Sequence, residues 1–496
     1  MANGIVNGQI TLDQIREKTY FPMLIGGEKV ESVSGEWMDV YYPGDGQLLA
    51  KVPSGNNQDV ELAVENGLDA FQSWKKAPPM QRSRLLLKLA DLLEEEIEYL
   101  AFIDSIDSGN PVTAMKEDIY KAARQIRYYA GLAMEMKGDT LPYNGTVMNA
   151  TIREPYGVVA RMIPFNHPLM FAAGKIAAPL AAGNTVILKP ADQTPISPLI
   201  FGELANRVLP PGVLNIVTGT GMAVGESIVK HPKIKRIAFT GGISTGRKVL
   251  QSAAQQMKVV SLELGGKNPM LVFPDVDIKE VVRSAIKGMN FNVCQGQSCG
   301  STARIYVHSS IFDRFLSELI EGVKEIEVGI PFDPACKMGA LISHEHLEKV
   351  HGFVQRAIEQ GAEIVLGGER VVASPYKNGY FYPPTIFKNV TQGMEIAKEE
   401  VFGPVISVLS WDSEDELLAF CNDSEYGLTA SIWTNDIRKA YRFANEIESG
   451  YIWINESSAR YVGTPFGGYK ESGIGVENSI EEMFSYTQIK TINVSL

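Results

Sequence analysis

Cysteine is scarce, with four in 496 residues: Cys294, Cys299, Cys336 and Cys421. None of them stands in a CxxC or Cys/His pattern, so no metal site is expected, and a disulfide framework does not fit so few thiols. A reducing compartment follows, and with it a cytoplasmic location where a reactive thiol stays usable. Positive charge is also short. Lys and Arg number 46 against 58 Asp and Glu, a net charge of -12. No basic cluster offsets that deficit, which argues against a nucleic-acid surface. A long hydrophobic run is missing too. The longest apolar stretch, residues 168–188, contains Lys175, Pro179 and Asn184 and is a poor membrane span. The N-terminus carries Asn3, Asn7, Gln9 and Asp13 without a basic start or an apolar core, so it does not read as a secretory signal. With 45% hydrophobic and 21% charged residues the composition is that of a soluble globular protein, too long for one core.

What is present centres on residues 290–303, Asn-Phe-Asn-Val-Cys-Gln-Gly-Gln-Ser-Cys-Gly-Ser-Thr-Ala. Cys299 lies there among Gly296, Gln297, Ser298, Gly300 and Ser301. A structural cysteine usually keeps bulky apolar neighbours, because it behaves as a small hydrophobe. Small polar neighbours instead let a substrate and backbone amides approach the sulfur.

Residues 1–20 read as a polar arm and residues 21–52 as hairpins broken by Gly26-Gly27, Gly35 and Pro43-Gly44. Apolar residues at helical spacing predict helices over 57–76, 80–107 and 112–137. Residues 139–155 are thin and strand-like, either an arm reaching a partner subunit or a surface hairpin. From Tyr156 the rhythm changes to short apolar strands at 157–163, 185–188, 213–217, 236–239 and 259–264, separated by helices, as a parallel α/β sheet requires. This is the pattern of a doubly wound, Rossmann-like domain. Beyond Gly266 the alternation restarts, with strands near 270–273, 363–366, 404–410, 429–433 and 451–454 and helices near 278–290 and 311–326, a second α/β domain. Residues 489–494 alternate like a lone strand in need of a sheet.

Two glycine-rich turns follow strands: Gly219-Thr-Gly221-Met-Ala-Val-Gly225 and Phe239-Thr-Gly241-Gly242-Ile-Ser-Thr245-Gly246. Such turns let backbone amides and a helix N-terminus approach a pyrophosphate. Neither is a full G-x-G-x-x-G, so a plain tight turn is an equal reading. Lys189 and Asp192 could hold ribose hydroxyls, the carboxylate favouring NAD over NADP; they could also form an exposed ion pair worth little.

Taken together, Pro164-Phe-Asn166, Leu188-Lys-Pro190, Phe239-Thr-Gly241, Leu262-Glu-Leu-Gly-Gly-Lys-Asn-Pro269, Gly296-Gln-Ser-Cys299, Glu400-Val-Phe-Gly-Pro404 and Pro465-Phe-Gly-Gly-Tyr-Lys470 resemble the aldehyde dehydrogenase superfamily. The likeness runs in order from about Phe21 to the C-terminus. It implies a Rossmann-like NAD-binding domain over 1–136 and 156–266, a catalytic domain over 267–471, and a small β oligomerisation arm from 137–155 and 485–496. It assigns the nucleophile to Cys299, the general base to Glu263 and the side-chain oxyanion donor to Asn166. For the cofactor it points to Ile163, Pro164, Phe165, Asn166, Lys189, Asp192, Gly221, Gly225, Phe239, Thr240, Gly241, Gly242 and Thr245, then to Glu263, Leu264, Gly265, Glu400 and Phe402. Asp192 replaces a more usual glutamate, and Gly242 a serine that contacts phosphate. The implied cofactor is NAD, and the implied assembly is a homodimer or homotetramer.

Chemically, the resemblance implies addition of a thiolate to an aldehyde, loss of hydride, and hydrolysis of the resulting thioester by water that Glu263 activates. Glu263 could otherwise be a buried structural acid. Glu477 corresponds to a second acid able to relay protons, but reads here as a solvated surface residue. His167 shows no carboxylate partner in sequence and reads as a pocket or core residue. The substrate tunnel would be lined by Lys121, His167, Met170, Val293, Ser298, Arg460 and Phe466, whose cations suggest a polar or anionic aldehyde. Competing readings are a CoA-acylating enzyme, which would not need the base, a non-catalytic relative of the fold, and a cysteine hydrolase.

Overall fold

The computed structural model describes residues 11–142 and 145–495. Five parallel strands form the middle of an eight-stranded sheet, in the order Leu214–Ile216, Thr185–Lys189, Val158–Met162, Ile234–Thr240 and Val259–Glu263. Thr185–Lys189 and Val158–Met162 are buried at every position, which is why they read as unbroken apolar runs. Alternate residues serve opposite faces. Val159, Val186 and Leu188 pack with Leu89, Ile119 and Phe201, whereas Val158, Ala160 and Ile187 pack with Val60, Val64 and Val249. Met23–Ile25 with Glu28–Val30 extends one edge antiparallel, and Gly473–Ile474 extends the other.

A second sheet has seven strands, in the order Glu363–Leu366, Thr385–Lys388, Val405–Trp411, Arg304–His308, Pro269–Val272, Thr429–Trp433 and Tyr451–Ile454. All of its neighbours are parallel except the first pair. One face carries Leu271, Tyr306 and Leu409 against Val350 and Phe443; the other carries Met270, Val272 and Ile305 against Val281 and Phe315. The mixed α/β class expected from the alternation is what the chain adopts.

Local departures have local causes. Residues 80–107, read as one helix, are two, Pro79–Glu95 and Ile97–Ser108, because Glu96 leaves the helical region at φ -100° and ψ 17°. Both pack on Val112–Leu132, and the second also packs on Ile196–Ala205. Part of the expected N-terminal arm is a helix, Leu12–Lys18, started by a capping box between Thr11 and Gln14; residues 1–10 lie outside the described part. Thr385–Lys388 is too short to stand out in sequence, yet it pairs with Val405–Trp411 inside the sheet. The C-terminal strand, Thr487–Ser495, pairs antiparallel with Val147–Pro155 from Thr487 opposite Pro155 to Ser495 opposite Val147. That ribbon belongs to neither large sheet.

Candidate active site

The carboxyl ends of the first sheet's strands converge on one cleft of about 850 Å³. Lys189, Thr240 and Glu263 are the last residues of their strands, and all three line it, as do Ile163, Pro164, Phe165 and Asn166 beyond Val158–Met162. This is where an open α/β sheet takes its ligand. The same cleft is lined by Asp192, Gly221, Gly225, Phe239, Gly241, Gly242, Thr245, Leu264 and Gly265, and from the second sheet's side by Cys299, Glu400 and Phe402. Every residue assigned above to cofactor or catalysis therefore faces one space.

Each is fixed by its surroundings. Lys189 is buried and donates from Nζ to Asp192 (2.7 Å) and to Pro190 O (3.0 Å), so the lysine end of the pair is withdrawn from water while the Asp192 side chain stays 40% exposed. The twelve-residue helix Ile243–Ala254 starts after Gly242 with no side chain capping its free N–H groups. A Cβ on Gly242 would meet nothing within 4 Å, so those amides are open to an anion. The other glycine turn is a π-helical turn, Gly221–Gly225. Glu400 accepts from Gly266 N (3.0 Å), and burial pushes its carboxyl up to about 7. Phe402 stands at φ +56°, its carbonyl held by His346 Nε2 at 2.7 Å. Burial holds His346 down at about 4, so the neutral ring donates. A bipolar cleft of this size, with free helix amides and a ribose-type ion pair, fits a dinucleotide.

Cys299 sits in the loop between Phe291–Cys294 and Arg304–His308, partly exposed and with a free thiol. The loop turns through left-handed Gln295 and Gly296; a Cβ on Gly296 would come within 2.3 Å of Gly403 O, so only glycine fits. Asn268 Nδ2 anchors the loop by donating to Cys299 O (2.7 Å) and Ser301 O (2.9 Å). Asn166 Nδ2 donates to Gln297 O at 2.8 Å, two residues before the cysteine. Burial pushes the thiol up to about 12, against the pull of Arg460. Both carboxylate oxygens of Glu263 are buried without a partner among the described residues, and burial, then the charge of Glu477, raise that carboxyl well above the usual range.

Two sequence readings are corrected here. Glu477 is not a solvated surface acid: it is 3% exposed and bonded by Lys175 and Arg161, which pull its carboxyl down to about 2 against the cost of burial. His167 does have a carboxylate partner, Asp118 on the helix Val112–Leu132, whose Oδ2 lies 2.5 Å from its Nδ1. Lys121 bonds the other oxygen of Asp118 at 2.8 Å.

Lys121, His167, Met170, Ser298, Arg460 and Phe466 lie outside the lining of the large cleft. Arg460 is exposed, stacks over Phe466 at 3.6 Å and approaches the rings of Tyr451 and Trp453. One guanidinium nitrogen lies 2.9 Å from where a Cβ of Gly300 would stand, directly against the cysteine loop. Met170 and Val293 pack against the first core, and Ser298 Oγ accepts from Gly300 N. Sequence reasoning missed His346, Lys349, Lys248, Gln193 and Met222, which also line the cleft. Met222 sits within the first glycine turn but was not singled out; helix positions His346 and Lys349 reach the cleft only through packing.

A sheet that presents a dinucleotide cleft, with a free thiol and a buried carboxylate opening onto it, defines an oxidoreductase that works through a cysteine. The aldehyde dehydrogenase family model matches residues 29–492. Aldehyde dehydrogenase tropH of Talaromyces stipitatus is 42% identical over 461 residues, 92% of this chain and 89% of that protein. Among solved structures, the NAD+ complex of aldehyde dehydrogenase from Bacillus cereus is similar at TM-score 0.94 and 36% identity, covering 99% of this chain and 100% of that one. PnpE of Pseudomonas sp. WBC-3, solved with nicotinamide adenine dinucleotide, reaches TM-score 0.93 at 37% identity, covering 96% and 97%. The chain belongs to the aldehyde dehydrogenase family, and its activity is the oxidation of aldehydes.

Proposed function

We propose that the enzyme converts an aldehyde to its carboxylic acid through a thioester on Cys299, with Asn166 and Glu263 as oxyanion donor and general base. The observation that carries the reading is that Cys299, Asn166 and the unpartnered carboxylate of Glu263 line one cleft with the cofactor residues. The cofactor is NAD, which when bound supplies the acceptor for the hydride. Lys189 and Asp192 would hold its adenosine ribose, Gly242 and the amides after it the phosphates, and Glu400 with Phe402 the nicotinamide end.

Burial raises the Cys299 thiol, so its proton must pass to water in the cleft before the sulfur becomes a nucleophile. The thiolate adds to the carbonyl carbon, and the electron pair moves to oxygen. That oxyanion is received by the second hydrogen of the Asn166 amide, the first being held by Gln297 O, and by the Cys299 N–H. Losing one such donor costs on the order of 3 kcal/mol. The C–H bond breaks with its electron pair and a thioester remains. Glu263 then takes a proton from water, whose oxygen attacks the acyl carbon and expels the thiolate. A CoA acceptor would leave Glu263 without this task.

The substrate reading narrows to a polar or anionic aldehyde met by Arg460. Lys121 is already neutralised by Asp118, whereas no carboxylate pairs with Arg460 among the described residues. Sheet membership supports dividing the chain near 266 and 471, since strands from Pro269 to Ile454 form the second sheet and Gly473–Ile474 returns to the first. The Val147–Pro155/Thr487–Ser495 ribbon supports a homo-oligomer. Free thiols throughout support the cytoplasm; no described helix is long and apolar enough to cross a membrane.

NAD-dependent turnover of an aldehyde panel, with Cys299→Ala as blank, tests the activity. Arg460→Gln is expected to raise KM for a semialdehyde by about 10- to 100-fold, the worth of a charged hydrogen bond, and to leave a neutral aldehyde of equal length within about 3-fold. A wild-type preference for long alkyl aldehydes would sink the substrate reading.

A further inference from the structure

Asn166 lies past the end of its strand, in a bend before the seven-residue helix Pro168–Gly174. Its position is therefore set by neighbours rather than by a ladder of sheet hydrogen bonds. Its backbone carbonyl accepts from Asn110 Nδ2 at 2.9 Å, and its side-chain Nδ2 donates to Gln297 O at 2.8 Å. Asn110 is fully buried in the turn after Ile97–Ser108. That turn is itself pinned: Ser105 Oγ donates to Asn110 O (2.6 Å), and Asn110 N donates to Ser108 Oγ (3.3 Å).

The other end of the Asn110 amide faces the nucleophile loop. Gln295 satisfies both its ends when its Nε2 points to Asn110 Oδ1 (2.9 Å) and Cys294 O (3.2 Å), with its oxygen receiving Gly339 N (3.1 Å). Gln297 Nε2 donates to the same Cys294 carbonyl (3.2 Å), and Gln297 Oε1 accepts from Ile342 N (3.1 Å). A buried polar circuit thus closes through one carbonyl: Asn110 to Asn166, Asn166 to Gln297, Gln297 to Cys294 O, and from that carbonyl through Gln295 back to Asn110. Asp104 and Asp118 hold the following residues, at Leu169 N and His167, but neither touches residue 166.

We propose that Asn110 is a positioning residue for the oxyanion donor, fixing Asn166 relative to the cysteine loop through this amide circuit. The inference rests on the reading of Asn166 as that donor. A polar circuit buried on all sides has few alternative arrangements, since each opened bond strands a buried donor or acceptor. Small misplacements of a preorganised donor are costly in rate.

A double-mutant cycle separates the two claims. Asn110→Ala is expected to lower kcat about 10- to 100-fold, with KM for NAD unchanged and a larger primary isotope effect on a 1-deuterated aldehyde as the hydride step becomes limiting. In an Asn166→Ala background the same change is expected to cost less than about 3-fold, because there is no longer a donor to misplace. Asn110→Leu, of similar shape, serves in the same cycle where the alanine variant does not fold. Equal losses in both backgrounds, or an unchanged kcat in Asn110→Ala, overturn the positioning role. Wild-type kcat in Asn166→Ala itself would instead overturn the oxyanion reading beneath it.

Discussion

Glu263, the proposed general base, has surroundings that would set the reaction's pH dependence. Burial and the neighbouring charge of Glu477 raise its carboxyl well above the usual value. A base works only when deprotonated, so a raised pKa moves the rise of the deacylation rate to higher pH. Turnover is expected to climb at a pH above the ordinary carboxylate range. Glu263→Gln should lose that limb and about 10²- to 10⁴-fold in steady-state rate, while a single burst of NADH persists in stopped flow; loss of the burst as well would mean that Glu263 is needed before the thioester forms. Cys299, Glu263 and Asn166 stood out as candidates in sequence because their neighbours form motifs with fixed spacing, and the fold brings all three to one cleft. Asn110 and His346 did not stand out. Each acts through a partner 56 residues away, Asn166 and Phe402 respectively, and no local pattern encodes such a meeting.

At the scale of elements, the helix Ile97–Ser108 couples stability to pH. Asp104 and Asp107 are fully buried on it; Asp104 Oδ1 accepts from Ser197 Oγ (2.6 Å) and Leu169 N (3.2 Å), and Asp107 Oδ2 from Ser197 N (2.9 Å). One oxygen of each is unpartnered. Burial pushes Asp104 up to about 7 from 3.8, with the charge of Asp118 adding to it. The folded protein holds that proton more tightly than the unfolded chain. Its stabilising effect is therefore complete below pH 3.8 and lost as pH rises to about 7, by up to about 4 kcal/mol. Asp104→Asn should flatten this slope: its urea midpoint relative to wild type should be higher at pH 7.5 than at pH 4.5. An equal difference at both would show that the carboxyl titrates as in water. The doubly buried strands were read correctly because continuous apolar runs bounded by helices have few other meanings. The break at Glu96 and the strand Thr385–Lys388 were missed, since packing decides them.

For the whole molecule, the ribbon of Val147–Pro155 and Thr487–Ser495 is the unfinished part. Ile489 is 61% exposed, and Ile492, Val494 and Met148 are about as open as one another at 41–43%. Residues 139–141 cover part of the outer edge of Val147–Pro155, with Leu141 N donating to Asn149 O and Thr151 N to Asp139 O, so it is the outer edge of Thr487–Ser495 that invites another chain. Ile492→Glu with Val494→Glu is expected to shift the protein to a smaller species in light scattering; an unchanged mass would place the subunit contact elsewhere. The alternation of strands and helices, the family resemblance and the candidate reacting groups were legible in sequence, because they depend on spacing along the chain. Whether an acid is solvated or buried depends on what packs against it from distant segments. Folding alone therefore decided that Glu477 lies between Lys175 and Arg161, that His167 meets Asp118, and that Lys121 is neutralised while Arg460, stacked on Phe466, has no carboxylate partner among the described residues.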